Sequence, residues 1–529
     1  MTYRVLATDD LSQEAVDLLN AHPDVEFSVE KGLSPGALAD RIGPYDALII
    51  RSSAQVTEGV IAAGQRLRVI GRAGAGIDNI DVPAASARGV IVMNTPGANT
   101  VATTEHTMAL LLALCRNVPQ AATSLRSGEW ERRRFKGVEV RSKTIGIIGF
   151  GRVGQRVARR CRGFGMDVIC YDPYLSSERA ALLKVDQVSL DDLLERSDFI
   201  TLHAALTADT KHMIGTEAIA RMNPGVRIVN AARGGLIDEP ALIAALEDGR
   251  VAGAALDVLA DEPPDPSNPL LHMSNVVVTP HLAASTDEAQ REVGIQIVRQ
   301  VIDALEGTDF RNAVNMPVVD GQVLKELRPY LELAERLGSL QSQLALGAIA
   351  KVDVAVEGDD IDEHIAPVTI AVLKGMLERV VTDSVNYVNA QHVAAERGMA
   401  VSQTSGLHGL DYPNLISCRV EWEGGSRTVA ATLFSHDEPR IVEVDGYRVD
   451  VVPDGTILVT VSHDQPGFIG KVGTTLGELG VNIATWKTGR SAPGGRALSF
   501  ISVDSDVPDN VLQALAATDP IERITKVRF

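Results

Sequence analysis

The chain has 529 residues, too many for one hydrophobic core and enough for three or four domains. Its hydrophobic share of 45% is that of a soluble globular protein, and an aromatic share of 4% leaves the cores to Ala, Val, Leu and Ile. A formal net charge of −19 argues against a nucleic-acid or anionic-membrane partner, and requires any anionic ligand to find a local basic pocket. The four cysteines, Cys115, Cys161, Cys170 and Cys418, are scattered without metal-ligand spacing, so no metal site is expected and a reducing cytoplasm fits. The first ten residues carry two acids where a signal peptide needs an apolar run, and the longest apolar stretch, Met108–Cys115, is too short to span a bilayer. The expectation is a soluble, cytoplasmic protein.

In chain order, Tyr3–Ala7, Ala47–Ile50, Val69–Gly71 and Val90–Asn94 read as short buried strands, with helices at Ser12–Ala21 and Pro35–Ile42, a parallel α/β layer. Val101–Arg116 reads as a long helix whose central Met-Ala-Leu-Leu-Leu-Ala-Leu is apolar on every face, and so as a helix buried between domains or subunits. A second βα alternation runs from Lys143 to Pro280, and Asp287–Leu305 is a long amphipathic helix. Two long helices bracketing the second unit predict that the chain leaves the first domain and returns to it. Beyond Pro317 the strand candidates are Lys351–Glu357, Leu415–Glu423, Arg427–Phe434 and Tyr447–Val452, and Pro453-Asp-Gly reads as a linker turn. The last segment reads strand, helix, strand, strand, helix, strand (457–461, 468–479, 481–490, 496–503, 509–517, 524–527), a βαββαβ module. The expected fold is α/β: two Rossmann-like parallel-sheet domains, an intervening α/β regulatory domain and the ferredoxin-like module. The expected limits are 1–98 with 285–316, 99–284, 317–453 and 454–529.

The strongest local signal is Thr144-Ile-Gly-Ile-Ile-Gly149-Phe-Gly151-Arg152-Val153-Gly154, followed by a strand ending at Asp172. Gly149 permits the tight turn, Gly151 lets the backbone approach a pyrophosphate, and Gly154 lets the helix pack on the strand. The helix opening at Arg152 offers free N–H groups and a positive dipole end to the pyrophosphate. Asp172 stands about 20 residues on, where a carboxylate meets ribose hydroxyls and repels a 2′-phosphate, which favours NAD over NADP.

Three polar residues follow at apparent strand ends and loops: Arg233 in Asn-Ala-Ala-Arg-Gly-Gly, Glu262 in Asp-Glu-Pro-Pro, and His281 in Thr-Pro-His. Singly, each has a bland reading as a turn arginine, a solvated loop acid or a capping histidine. Beside one nicotinamide they form a chemically complete set. Histidine titrates near neutrality and suits removal of a hydroxyl proton, a carboxylate fixes its tautomer, and arginine clamps a carboxylate.

The run GFGRVG, YDP, NAARGG, LDV, DEPP, TPHLAAST and NAVN resembles the D-isomer-specific 2-hydroxyacid dehydrogenase family across roughly residues 1–316. The resemblance implies that Arg233, Glu262 and His281 act together, that Ala231 and Asp257 hold the nicotinamide ring, and that Thr207 contacts the cofactor. Two positions depart from the pattern: Ala205 stands where a proline is common, and Ala283 where a glycine usually follows the histidine. The added domains resemble the long-form branch acting on 3-phosphoglycerate. This implies phosphate recognition by Arg51, Arg72 and Arg132 and carboxylate recognition by Arg233, Ser52 and Asn99. Arg132 lies in Trp130-Glu-Arg-Arg-Arg-Phe-Lys136, a basic run that reads equally as a solvated arm or a dimer contact. Residues 455–529 resemble an ACT domain. There Asp464, His463 and Asn482 are the implied ligands of L-serine as feedback inhibitor, in a homo-oligomer, expected to be a tetramer. Arg440 and Arg448 are candidates for a second anion. The alternatives are a dehydrogenase for glyoxylate or hydroxypyruvate, and a non-catalytic NADH-sensing protein on the same fold.

Overall fold

The computed structural model describes residues 2–317, 321–381, 384–406, 412–435, 437–517 and 519–529. The junction expected at 317 borders on 318–320, which lie outside the described residues.

The first sheet is all parallel, in the order Val25–Val29, Tyr3–Ala7, Ala47–Ile50, Val69–Arg72, Ile91–Asn94. Its edge strand Val25–Val29, absent from the sequence reading, alternates apolar Val25, Phe27 and Val29 with polar Glu26 and Ser28. The Asp287–Glu306 helix returns to this sheet, with Val293, Ile297, Val298 and Val301 packing into the core around Val5, Ala7 and Ile49. Gly71 makes that return possible, since a Cβ there would overlap Val301 and Ile297. Asn315 then seals the edge: its Oδ1 accepts from the Val92 N–H at 2.9 Å, and its Nδ2 donates to the Val90 carbonyl at 2.9 Å.

The second sheet is also wholly parallel, with seven strands ordered Val276–Val278, Val251–Leu256, Val226–Asn230, Phe199–Leu202, Thr144–Ile148, Asp167–Tyr171, Asp186–Gln187. The strand order reverses beside Thr144–Ile148, the point at which doubly wound sheets open a ligand crevice. The all-round apolar helix is observed at Thr100–Arg116, with Met108, Leu110, Leu111 and Leu114 in the core of this second lobe.

The third sheet is mixed: Ala400–Thr404, Ile349–Glu357, Leu415–Trp422, Gly425–Phe434, Glu438–Val444, Tyr447–Val451. The fourth is antiparallel, ordered Ile483–Arg490, Arg496–Val503, Thr456–His463, Ile521–Arg528, and its two helices complete the βαββαβ order. Successive residues of a strand point to opposite faces, and both faces of the fourth sheet are buried. Leu458, Ile501 and Val503 pack on the module's own helices. Ile457, Val459, Leu498, Phe500 and Val527 pack instead into the core formed by Leu337, Leu340 and Leu344 of the Gly321–Leu344 helix and the strands of the third sheet. The 453–455 turn is therefore no loose linker, and Arg336 Nη1 donates to the Pro453 carbonyl at 2.7 Å. No helix among the described residues is long and apolar enough to cross a membrane.

Candidate active site

The glycine turn sits at the carboxyl end of Thr144–Ile148. Gly149 has φ +88, and a Cβ there would overlap the backbone of His203 and Ala204. Gly154 would overlap the Gly149 carbonyl, whereas Gly151 faces open space, as a surface meant for close approach must. The Arg152–Gly163 helix begins here, with Arg152 exposed and Val153 half-buried. Asp172 binds the turn from below: Oδ2 accepts from the Phe150 N–H at 2.7 Å and Oδ1 from the Tyr174 N–H at 2.9 Å. Its half-exposed carboxylate thus lies against the glycine turn, as adenosine ribose recognition requires. Ala231 is buried behind Arg233, and Thr207 is exposed in a turn closed by Thr210. Open glycine surface, helix N-terminus and placed carboxylate together fit a dinucleotide.

His281 Nδ1 lies 2.7 Å from Glu262 Oε2, and Glu262 Oε1 accepts from the Leu259 N–H at 3.1 Å. Burial raises the Glu262 pKa, but the hydrogen bond and charge of His281 and the Leu259 N–H outweigh it, so the carboxyl sits below its ordinary range. An ionised carboxylate only accepts, so Nδ1 carries a proton, and in the neutral imidazole Nε2 is then the nitrogen free to act as base. His281 itself has φ +53, a left-handed conformation rare for a side chain of this size. Both residues line a cavity of about 1190 Å³ that also receives Arg134 and Phe135.

Arg233 stands at the end of Val226–Asn230, held by Asn230, whose Oδ1 accepts from the Ala232 N–H and whose Nδ2 donates to the Arg233 carbonyl. Its guanidinium crosses to the first lobe, where Nε donates to Asp78 Oδ2 at 2.6 Å. The Gly71–Gly76 loop has room for two guanidiniums because Gly74 and Gly76 carry no side chain: a Cβ at Gly74 would overlap Arg72, and one at Gly76 would overlap Arg233. Arg72 Nε is buried without a hydrogen-bond partner. Burial, then the charge of Arg233, lowers the Arg72 pKa to about 10; Asp78 and Asp9 pull it up, and Arg51 pushes it down. Arg51 sits on the same cleft, its backbone N–H held by Asp9 Oδ2 at 2.9 Å, next to the exposed Ser52. Asn99 is the N-cap position of the Thr100–Arg116 helix.

The structure thus brings Arg51, Arg72 and Arg233 into one electrostatic cluster. It does not bring Arg132 there. The 131–134 turn is closed by an Arg134–Glu131 ion pair at 3.2 Å, which points Arg134 to the His281 cavity and leaves Arg132 exposed beside Trp130 and Arg133. Asp257, expected at the nicotinamide, is only 1% exposed: Oδ1 accepts from Thr279 Oγ1 (2.6 Å), His106 Nε2 (3.0 Å) and Leu282 N (2.7 Å), and Oδ2 from Ala283 N (2.8 Å). Sequence reasoning missed Asp78, Asp9 and His106, whose partners lie 155, 42 and 151 residues away.

In the C-terminal module, Asp464 Oδ2 accepts from Arg490 Nη1 (2.9 Å) and the Gly494 N–H (3.2 Å), and these contacts hold its carboxyl below the ordinary range. Asn482 Nδ2 donates to Asp504 Oδ2 at 2.6 Å, and His463 lies 3.3 Å from Glu522. Each of the three candidate effector ligands is thus tied within its own module. Arg440 pairs with Glu438 and with Asp450.

Comparison with known proteins identifies the family. Residues 108–283 match the D-isomer specific 2-hydroxyacid dehydrogenase NAD-binding domain, 326–445 the D-3-phosphoglycerate dehydrogenase intervening domain, and 456–519 the ACT domain. The chain is 42% identical to a D-3-phosphoglycerate dehydrogenase of Archaeoglobus fulgidus, over 99% of this chain and 100% of that one. It is equally 42% identical to a protein of that name from Synechocystis, over 97% of this chain and 92% of the relative. Among solved structures, D-lactate dehydrogenase from Aquifex aeolicus with NAD and lactic acid aligns with a TM-score of 0.52 and 28% identity, covering 57% of this chain and 96% of that one. The chain is an NAD-dependent dehydrogenase. It belongs to the D-isomer specific 2-hydroxyacid dehydrogenases, in the D-3-phosphoglycerate dehydrogenase branch with intervening and ACT domains.

Proposed function

We propose that the chain oxidises 3-phospho-D-glycerate to 3-phosphohydroxypyruvate, the first step of L-serine biosynthesis, and that L-serine inhibits it at the ACT domain. The observation that carries the substrate assignment is the arginine cluster. In a chain of net charge −19, Arg51, Arg72 and Arg233 converge on one cleft, and the buried Arg72 Nε lacks a partner. A guanidinium so placed favours an anion with fork geometry, and two separate anionic groups on one small substrate use the cluster fully. Relatives named D-3-phosphoglycerate dehydrogenase support the phosphate-bearing substrate over glyoxylate or hydroxypyruvate.

Bound NAD supplies the hydride acceptor. The chain's own residues do the rest. His281 Nε2 takes the C2 hydroxyl proton, Glu262 steadies the imidazolium through Nδ1, and Arg233 holds the substrate carboxylate beside the 259–262 loop. Ser52 and Asn99 join Arg233 at the carboxylate, and Arg51 and Arg72 receive the phosphate. Arg132 reaches a substrate only from a second subunit, which fits a homo-oligomer, a tetramer in this reading. The four cysteines are buried, burial lifts each thiol well above its ordinary pKa, and an unreactive set of this kind supports a cytoplasmic setting.

The test is NADH oxidation with 3-phosphohydroxypyruvate, titrated with L-serine. A fast rate that falls with serine upholds both halves of the reading. A fast rate blind to serine removes the regulatory half, and activity confined to glyoxylate or hydroxypyruvate removes the phosphate assignment.

A further inference from the structure

We propose that His106 is a positioning residue for catalysis: from the Thr100–Arg116 helix it orients Asp257, and through Asp257 it fixes His281 in its working conformation. The inference rests on His281 being the base of the proposed reaction.

The starting observation is the backbone of His281, at φ +53. A left-handed conformation costs a non-glycine residue about 1–3 kcal/mol and persists only where its surroundings over-determine it. Here they do, and one residue is responsible. The His281 N–H donates to the Asp257 carbonyl at 2.8 Å and to the Thr279 carbonyl at 3.0 Å. The Asp257 carboxylate accepts from the next two residues, Leu282 N at 2.7 Å and Ala283 N at 2.8 Å. It also accepts from Thr279 Oγ1 at 2.6 Å, so the segment is gripped on both sides of the histidine.

What orients Asp257 is His106. Its Nε2 lies 3.0 Å from Asp257 Oδ1 and 3.3 Å from Thr279 Oγ1. Asp257 is ionised: burial lifts its pKa, but its hydrogen bonds from His106, Thr279, Leu282 and Ala283 outweigh this. An ionised carboxylate accepts only, and the Thr279 hydroxyl already spends its proton on Asp257, so Nε2 of His106 carries a proton and donates. His106 is therefore the one side-chain donor to this carboxylate, among the described residues, from outside the 279–283 segment. Without it the carboxylate keeps three donors, all from the segment it is meant to anchor, and nothing ties that group to the rest of the lobe through a side chain. A shift of the Thr100–Arg116 helix therefore reaches the imidazole through two hydrogen bonds.

Misplacing a reacting group by about 1 Å costs up to 10²-fold in rate without weakening substrate binding. For His106→Leu we therefore expect kcat for NADH oxidation with 3-phosphohydroxypyruvate to fall by roughly tenfold, with both Michaelis constants within about twofold of wild type. The melting temperature stays within about 2 °C, because no buried acceptor is orphaned. His106→Gln, whose amide nitrogen reaches about where Nε2 stood, restores most of kcat. A wild-type kcat in His106→Leu overturns the proposal. So does a Gln variant no better than Leu, or a loss confined to the Michaelis constants. His281→Asn is measured alongside: full turnover there sinks the assignment of His281 as base, while a dead His281→Asn beside an unimpaired His106→Leu sinks the positioning role alone.

Discussion

Within residues 2–317 two parallel-sheet lobes face each other across a cleft, and the side chains that span it are polar, above all Arg233 reaching Asp78 at 2.6 Å. Within residues 321–529 the third and fourth sheets instead share one apolar core, with Phe500, Leu498 and Val527 of the last module among Leu337, Leu340 and Leu344. Opening a polar, solvated contact exchanges one set of hydrogen bonds for another and costs little net free energy. Opening an apolar core costs about 25 cal/mol for each Å² exposed. The first half is thus built to part and close around ligands, the second to move as one body. Between them the contacts are sparse and polar: Asn386 Nδ2 donates to the Gly89 carbonyl at 2.8 Å, and Asn386 Oδ1 is itself fixed by the Val388 and Asn389 N–H groups.

The largest effect that tests this contrast lies in the cleft. His281→Asn removes the proposed proton acceptor and should lower kcat by roughly 10³-fold, since positioned acid–base groups supply about 10²–10⁴-fold. A kcat within tenfold of wild type would hand the base to another group. Arg72→Leu comes next. In the proposed reading Arg72 receives the substrate phosphate, so the Michaelis constant for 3-phosphohydroxypyruvate should rise by about 10²-fold while that for NADH holds. Steady-state kinetics with the two substrates varied in turn decides it, and parallel rises in both constants would contradict a phosphate role.

The apolar half breaks differently. Phe500→Ala leaves a cavity in the shared core and should cost about 3–5 kcal/mol. Because that core is remote from the cleft, the basal rate should stay within about twofold, while an early calorimetric transition appears for the second half. A single transition at the wild-type temperature would mean that the two sheets are less interdependent than their packing indicates.

Acid sensitivity sharpens the same contrast. Asp257 titrates below its unfolded value of 3.8, so the stability it lends is fully present above that pH and is lost as pH falls through the lower folded value. Asp257→Asn should therefore melt earlier than wild type at pH 7, and the gap should close as pH falls through the lowered folded value of Asp257. A gap independent of pH would assign the loss to packing rather than to the charge. The core around Phe500 offers no such dependence.

How much of this the sequence disclosed follows from how local each signal is. The glycine turn and Asp172 were legible because a dinucleotide grips consecutive residues of one βαβ unit at fixed spacing. Arg233, Glu262 and His281 were legible because strand ends of a doubly wound sheet carry chemistry. The Gly321–Leu344 helix went unread although Leu327, Leu331, Ala334 and Leu337 recur at helical spacing, because Pro329 sits inside the run and argues for a break. In the folded chain that proline falls in the third turn of an unbroken helix. Asp78, Asp9 and His106 had no local signature at all. Their roles exist only once the two lobes, two strand ends of one sheet, or a helix and a distant strand end are brought together. The shared core was likewise hidden, since alternation marks a strand as having two faces without saying what covers the second.

The smallest predicted effect concerns the seam between the halves. If the second half moves as one body on binding L-serine, the signal enters the catalytic half through few contacts, and Asn386 to Gly89 is one of them. Gly89 has φ +71, and a Cβ there would crowd the Asn386 amide, so the fit is close as well as hydrogen-bonded. Asn386→Ala touches neither cleft nor effector site. It should leave the uninhibited rate within about twofold, while the serine concentration for half inhibition rises about fivefold, the low end of ordinary coupling free energies. Direct binding of serine to the enzyme without substrate separates coupling from affinity. Unchanged binding with weaker inhibition places Asn386 on the route between the sites, whereas an unchanged inhibition curve moves that route to another contact or to a neighbouring subunit.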